Sequence, residues 1–359
     1  MSDAALDAIG ARIRTAAAAK SPLVIRGGGS KDFFGQAITG EVLDVAPYAG
    51  IVDYDPTELV ITARAGTPVA EIEAALGASG QMIASEPPRF GVGATLGGMV
   101  AAGLSGPRRP YAGAIRDIVL GVRMFDGTGG DLTFGGRVMK NVAGFDLPRL
   151  MTGALGTLGV LTEVSLKCVP LPKVEHSRLL ECTADEAIRT TNEWGGKPLP
   201  ISATCHHAGR LIVRLSGAPA AVEAAATRIG GAAIGDAEAF WKSVREHTHP
   251  HFAAASAEGA PLWRLSVKAT APHLDFGGEQ LMEWSGALRW LIAGPRTDPA
   301  KVRAWAHAHG GHATLFRAPD KSPGAFHPLP PTMHALHRRL KSTFDPAGIL
   351  NRGRLYPDF

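Results

Sequence analysis

Cysteine is scarce in this sequence: three in 359 residues, Cys168, Cys182 and Cys205, far apart and never arranged as CxxC. That spacing excludes an iron–sulfur cluster or structural zinc built from this chain's thiols alone. A sparse, odd count also fits a reducing compartment better than a disulfide framework. Charge of one sign is in short supply too. The formal net charge is +4 with 19% charged residues, enough to favour an anionic ligand but too little to argue for nucleic acid. Long hydrophobic runs are missing: the longest uncharged stretch, residues 90–107, is glycine-rich and too short for a convincing membrane span. The first twenty residues place Asp3 and Asp7 among alanines, with Leu6, Ile9 and Ile13 at helical spacing, which reads as an amphipathic helix and not a signal peptide. The expectation is a cytoplasmic protein that could meet the inner face of a membrane through partners or surface patches.

What is present is ordinary for a folded chain, with 45% apolar residues. The length calls for about two domains at roughly 150 residues each. Short strands are expected at 23–26, 42–45, 51–54 and 59–63. A helix follows from Pro68, whose ring suits a first turn and which precedes an apolar stripe of Val69, Ile72, Ala75 and Leu76. The fold class is α+β. A proline pair, Pro170 and Pro172, ends the strand 161–169 and marks a boundary. Residues 1–172 form the first domain. Residues 173–322 form a second, with an antiparallel sheet and helices on one face, and residues 323–359 form a C-terminal helix and tail returning to the first. The last helix, 332–344, presents Met333, Leu336, Leu340 and Phe344 on one face. His334, His337, Arg338, Arg339 and Lys341 lie opposite, and are read as a solvated face or a docking surface. No internal repeat is evident.

Glycine is the outstanding excess, with 17 in the 69 residues 91–159 against an average usage of about 7%. Leu, Ile, Val and Met are interleaved, so this is not low complexity. Such a stretch needs positive φ angles or close approach to the main chain. Arg26-Gly27-Gly28-Gly29-Ser30-Lys31 offers a loop of bare amides with two flanking cations. Gly93-Ala94-Thr95-Leu96-Gly97-Gly98 offers a second that opens a small-residue helix ending at Gly103. Runs of backbone N–H groups and helix N-termini hold phosphate oxygens, and two such loops suit a diphosphate. Neither is a P-loop or a Rossmann fingerprint, because Gly-Lys-Ser/Thr is missing and Leu96 stands where a third glycine should.

The order of 22–31, 56–67, 93–98 and 156–162 resembles the PCMH-type FAD-binding domain of the vanillyl-alcohol oxidase/p-cresol methylhydroxylase superfamily. Residues 138–146, 311–317 and 344–356 are similar to the FAD-binding subunit of the glycolate oxidase (glycolate dehydrogenase) complex. The resemblance implies FAD, with Arg26, Gly27, Gly28, Gly29, Ser30, Lys31, Gly93, Ala94, Thr95, Gly97 and Gly98 at the pyrophosphate and ribityl region. It sets Ser105, Gly106, Tyr111, Arg116, Gly156, Gly159 and Val160 along the flavin and adenosine moieties. With no histidine in the first loop, the FAD is expected to be non-covalent, and Gly97→Val to give folded, colourless protein.

The resemblance implies oxidation of glycolate or another small 2-hydroxy acid to its 2-oxo acid. Electrons would leave through a sister FAD subunit and an iron–sulfur subunit. One departure is the missing Gly-Asp-Gly-Asn-x-His metal segment of related dehydrogenases, so no metal is expected. That absence also keeps open a non-catalytic electron-relay or scaffolding role. Alternation of His247, His249 and His251 on a strand would put them on one face, as a metal site needs, but Pro250 argues against a regular strand, and a solvated loop is the plainer reading. Arg264, in Leu262-Trp-Arg-Leu-Ser266, resembles a carboxylate-binding arginine, with an arginine reaching out from a sheet edge as the plainer reading. No catalytic base is evident.

Overall fold

The computed structural model describes residues 2–136, 145–257, 259–294 and 296–359. The resembling segment 138–146 therefore lies outside the described residues except for Phe145 and Asp146. The chain divides into two compact units: Met1–Ser105, Gly113–Leu171 and Pro328–Phe359 in the first, Gly106–Ala112 and Pro172–His327 in the second.

The first unit begins with helix Ser2–Ala19, whose Leu6, Ile9 and Ile13 are buried against Leu23, Leu43 and Val160. Full burial of such side chains contributes about 1.5–3 kcal/mol each. Strand Leu23–Arg26 pairs in parallel with Glu41–Asp44. The C-terminal tail lies along it: Leu23 N donates to Ile349 O at 2.7 Å, and Asn351 N donates to Leu23 O at 3.0 Å. Five antiparallel strands make the main sheet of this unit, in the order Ile51–Asp55, Val60–Arg64, Val160–Lys167, Val119–Phe125, Asp131–Gly135. Helices Val69–Ala78 and Leu96–Ala102 bury Ile72, Leu76, Met99 and Val100 against Ile61, Val122 and Val164. That helix–sheet core fixes the second glycine loop at the N-terminus of Leu96–Ala102.

The second unit is built on an eight-stranded sheet. Its order is Ala232–Ala233, Val174–Glu181, Arg210–Gly217, Ile201–His207, Glu279–Glu283, Leu288–Ile292, Leu262–Ser266, His312–Arg317, and every pairing is antiparallel. One face carries Trp263, Leu265, Leu291 and Leu315 against Val302 and Ala306 of helix Pro299–Ala308. The register puts His207, Leu281, Trp290, Arg264 and Thr314 in one row on the opposite face. Helix Pro250–Ala257 covers that face, with the Phe252 ring edge-on to Trp290 at 5.3 Å. Helices therefore lie on both faces, not one. Among the described residues, no helix is long and apolar enough to cross a membrane.

Candidate functional site

In the first unit, a cleft with about 950 Å³ of empty space, its open mouth included, lies between the two glycine loops. Arg26 through Lys31 line one side; Thr95, Gly97 and Gly98 line another, with Gly156 and Gly159 beyond. The loops touch through their backbones. A Cβ on Gly28 would overlap the Gly93 carbonyl oxygen, and one on Gly27 would overlap the Thr95 hydroxyl. Gly29 has φ 71°, a left-handed conformation that favours glycine. Thr95 caps its helix, accepting from Gly98 N at 3.4 Å, while Gly103 closes the other end at φ 64°. The cradle is thus bare main chain facing a helix N-terminus, a donor set that fits the diphosphate of a dinucleotide.

Two residues of the cleft escaped the sequence reading. Asn351 donates to Leu155 O at 2.6 Å and accepts from Ile25 N at 2.8 Å, locking the tail to the first strand. Arg354 donates to Lys31 O at 3.3 Å and Asp32 O at 2.7 Å, bracing the first loop. Both lie in the 344–356 segment, and the Asn-Arg-Gly-Arg string was the available signal. Arg26 is engaged by Asp32 at 2.7 Å, and Lys31 donates to Arg89 O at 3.2 Å.

The remaining residues of the sequence-derived set fall elsewhere. Gly93 is exposed and meets the cleft wall at Gly28, while Ala94 and Val160 are buried in the core. Ser105 Oγ accepts from Ile115 N at 3.0 Å, tying its loop to the short turn that carries Arg116. Gly106 and Tyr111 belong to the second unit.

There Tyr111 meets Ser285 hydroxyl to hydroxyl at 3.0 Å, and Gly106 O accepts from Trp284 Nε1 at 3.0 Å. Trp284 and Ser285 both have φ 54°, a costly arrangement for two consecutive non-glycine residues, of the kind that clusters at functional sites. The Arg109 guanidinium stacks on Trp284 at 4.5 Å, and Arg264 sits over Trp284 at 5.3 Å and Trp290 at 5.9 Å. Burial, then the neighbouring Arg109, pushes the Arg264 guanidinium down to about 10, with Glu283 opposing. Arg264 makes no salt bridge among the described residues. It is a partly buried cation held by aromatic faces, not an arginine reaching out from a sheet edge. Such a pair fits a small carboxylate. Arg109 was missed by the sequence reading because its partner lies 175 residues away.

The histidines also depart from expectation. His247, His249 and His251 are buried at or beside helix Pro250–Ala257, not on a solvated loop. His247 stacks on Phe252 at 3.8 Å, and burial holds its pKa well below the ordinary 6.5. Burial likewise brings His249 down to about 4 and His251 to about 3. His312, two residues along its strand from the partner of Arg264, is pushed to about 4 by desolvation and then by Arg264.

On the last helix, Pro331–Phe344, Lys341 is not part of a solvated face. It is buried and donates to Thr157 O, Leu350 O and Asp345 Oδ2 at 2.9, 2.7 and 2.6 Å. His334 pairs with Asp358 at 2.9 Å. The opposite face is only half as apolar in use as its pattern implies. Leu340 and Phe344 pack on the core, whereas Met333 and Leu336 are exposed.

Comparison with known proteins agrees with this geometry. Residues 5–135 match the family model described as an FAD binding domain. The chain is 48% identical over 347 residues to glycolate oxidase subunit GlcE of Escherichia coli (strain K12), covering 97% of this chain and 96% of that one. It is 31% identical over 175 residues to glycolate oxidase subunit GlcD of Bacillus subtilis (strain 168), covering 48% of this chain and 37% of that one. A solved structure of alkyldihydroxyacetonephosphate synthase shares the fold, with a TM-score of 0.63 at 15% identity, covering 96% of this chain and 74% of that one.

Proposed function

This chain belongs to the family of the glycolate oxidase subunit GlcE, and we propose that it is a catalytic flavoprotein subunit oxidising glycolate or a similar small 2-hydroxy acid. Electrons then pass to a sister FAD subunit and an iron–sulfur subunit, and any attachment at the inner face of the membrane is made through them. The observation that carries this reading is the paired cation cluster of Arg264 and Arg109 in a chain that also has the FAD cradle.

FAD, when bound, supplies the two-electron acceptor for the substrate's α-hydrogen and its electrons. The first loop, Arg26 to Lys31, and the amides around Gly97 and Gly98 would hold its diphosphate, non-covalently since no histidine stands in that loop. Gly93, Ala94 and Thr95 shape the cradle. Gly156 and Gly159 line the cleft, and the resemblance assigns them, with Val160, Ser105, Gly106, Tyr111 and Arg116, to the flavin and adenosine moieties. Arg264 and Arg109 take the substrate carboxylate, worth about 1.5–3 kcal/mol for each charge-assisted bond. Trp284 fixes both guanidinium planes and excludes water.

A second reading, a flavin relay or scaffold with the chemistry on the sister subunit, is favoured by one observation. The buried imidazole near Arg264 is a weak base: His247 is held well below 6.5, chiefly by burial. An efficient proton acceptor has a pKa near the working pH. An anaerobic absorbance spectrum of the purified chain, before and after glycolate, separates the two. Bleaching of the flavin bands establishes a catalytic subunit; persistent bands transfer the chemistry to the partner. Acid precipitation of the same sample leaves free yellow flavin in the supernatant if attachment is non-covalent.

A further inference from the structure

The residues with the least explained chemistry lie in the second unit, on the same sheet face as Arg264 but two to three strands from it. His207 ends strand Ile201–His207, Glu279 begins strand Glu279–Glu283, and His251 sits in the first turn of helix Pro250–Ala257. Strand register pairs His207 with Leu281, which puts Glu279 on the same sheet face. The helix lays His251 onto that face. One nitrogen from each imidazole and one oxygen of Glu279 all lie within 4.8 Å of one another.

His207 Nε2 and Glu279 Oε1 are 2.5 Å apart, and His251 Nδ1 is 3.8 Å from the same oxygen. His251 is fully buried, and neither of its ring nitrogens has a hydrogen-bond partner among the described residues. Buried polar atoms are nearly always paired, and an exception calls for a partner such as an ion. Edge-on packing against His207 at 5.3 Å and Phe252 at 5.2 Å accounts for the ring's apolar contact, but not for two unpaired nitrogens. We propose that His207, His251 and Glu279 bind a divalent transition-metal ion of the zinc class.

The ligand chemistry is specific. Two imidazoles and one carboxylate suit zinc, cobalt or manganese far better than calcium or magnesium, which want oxygen. Ligand atoms at about 2.0–2.2 Å from a shared tetrahedral ion stand about 3.3–3.6 Å apart. His251 and Glu279, 3.8 Å apart, are near that spacing, and the 2.5 Å contact between His207 and Glu279 opens to it by rotation of Glu279, whose side chain is half exposed. Three protein ligands leave a coordination position open toward solvent on the Glu279 side. The ion would tie two strands and the covering helix together without a Gly-Asp-Gly-Asn-x-His segment, from residues too far apart in sequence to form a motif.

The test is calorimetric titration of Zn²⁺ into chelator-treated, full-length protein purified with its partners where they co-purify, repeated with Co²⁺ for its visible d–d bands. The expected result is one saturable site, a four- or five-coordinate cobalt spectrum and a rise in Tm on loading. Glu279→Gln and His207→Gln should each weaken affinity at least tenfold, whereas His334→Gln, in the other unit, leaves it unchanged. Both tested side chains are at or near the surface, and circular dichroism checks that the variants fold. Failure of the wild-type protein to bind Zn²⁺ saturably would overturn the proposal. So would binding that neither substitution weakens.

Discussion

The carbonyl oxygen of Gly93 occupies the place that a side chain on Gly28 would need, so the two glycine loops are in backbone contact. The contact has no flexible partner: both groups are main chain. Gly28→Ala therefore separates the loops or distorts both, at a cost of about 1–3 kcal/mol or more. The expected outcome is a lower Tm together with loss of bound flavin.

Blocking the cradle without breaking it requires a different glycine. Gly97→Val does not isolate flavin loss from misfolding, because a Cβ at Gly97 would lie 2.7 Å from the Ala65 Cβ, inside the helix–sheet core. Gly98 faces the cleft, and its Cβ would meet only the Thr95 hydroxyl, at 3.2 Å. Gly98→Val is expected to keep its circular dichroism and lie within a few degrees of the wild-type Tm, yet to purify with much less FAD. Full flavin content in that variant would remove the second loop from the diphosphate site.

Arg264 supplies the test of substrate binding. Arg264→Met keeps much of the stem packing on Trp284 and Trp290 while deleting the cation. If the guanidinium holds the carboxylate, KM for glycolate rises roughly 10- to 100-fold, following the 1.5–3 kcal/mol of a charge-assisted bond. FAD content and Tm stay near wild type. Arg109→Met should give a change of the same sign. Unaltered steady-state parameters in both variants would favour the relay reading.

Much of this architecture was legible because local signals and tertiary structure agree. Helix Val69–Ala78 and strand Leu23–Arg26 fall where the Pro68 first turn and the apolar periodicity put them. Three features were not legible, each for a physical reason. Strand Glu279–Glu283 has no β-branched residue and is strand only because both neighbours pair with it. Pro250 was read as a strand breaker, whereas it opens an alanine-rich helix. Lys341 belongs to a helical row of cations, and only the returning tail, through Asp345 and Leu350, shows that it points inward. The cofactor cradle was readable from glycine spacing; the Arg109–Arg264 pair was not, because stacking on Trp284 leaves no sequence pattern.

Lys341 and Asp345 form a buried pair whose remaining bonding capacity is met by main chain: Ile349 N and Leu350 N donate to the carboxylate at 3.1 and 2.8 Å. Removing one partner of such a pair costs about 3–5 kcal/mol, since the other charge is left buried. Lys341→Met should lower the urea midpoint accordingly and loosen the tail that carries Asn351 and Arg354 along the cleft. Lys341→Arg, which keeps the charge but not the shape, should not fully restore it. A midpoint unchanged by Lys341→Met would show the pair to be dispensable.

Acid should destabilise the second unit from about pH 6.5 downward. His249 and His251 are held at about 4 and about 3 in the fold, and His247 well below 6.5, each chiefly by burial. The unfolded chain takes up protons at about 6.5, so below that pH it binds more protons than the native state, and stability falls as pH falls. Above 6.5 both states are neutral and the stability is fully present. The loss runs from about 6.5 down to about 4, where His249 begins to protonate in the fold. Each histidine contributes up to about 1.4 kcal/mol per pH unit in that window. All six tryptophans lie in Pro172–His327, so their fluorescence reports this unit alone. Urea titrations in chelator-containing buffer at pH 7.5, 6.0 and 5.0 should show a progressively lower midpoint. His247→Asn, which tolerates the φ of 57° at that position, should make the decline shallower by up to one proton's slope. A midpoint that holds steady from pH 7.5 to 5.0 would mean that these imidazoles are hydrated, and that helix Pro250–Ala257 does not seal the sheet face it covers.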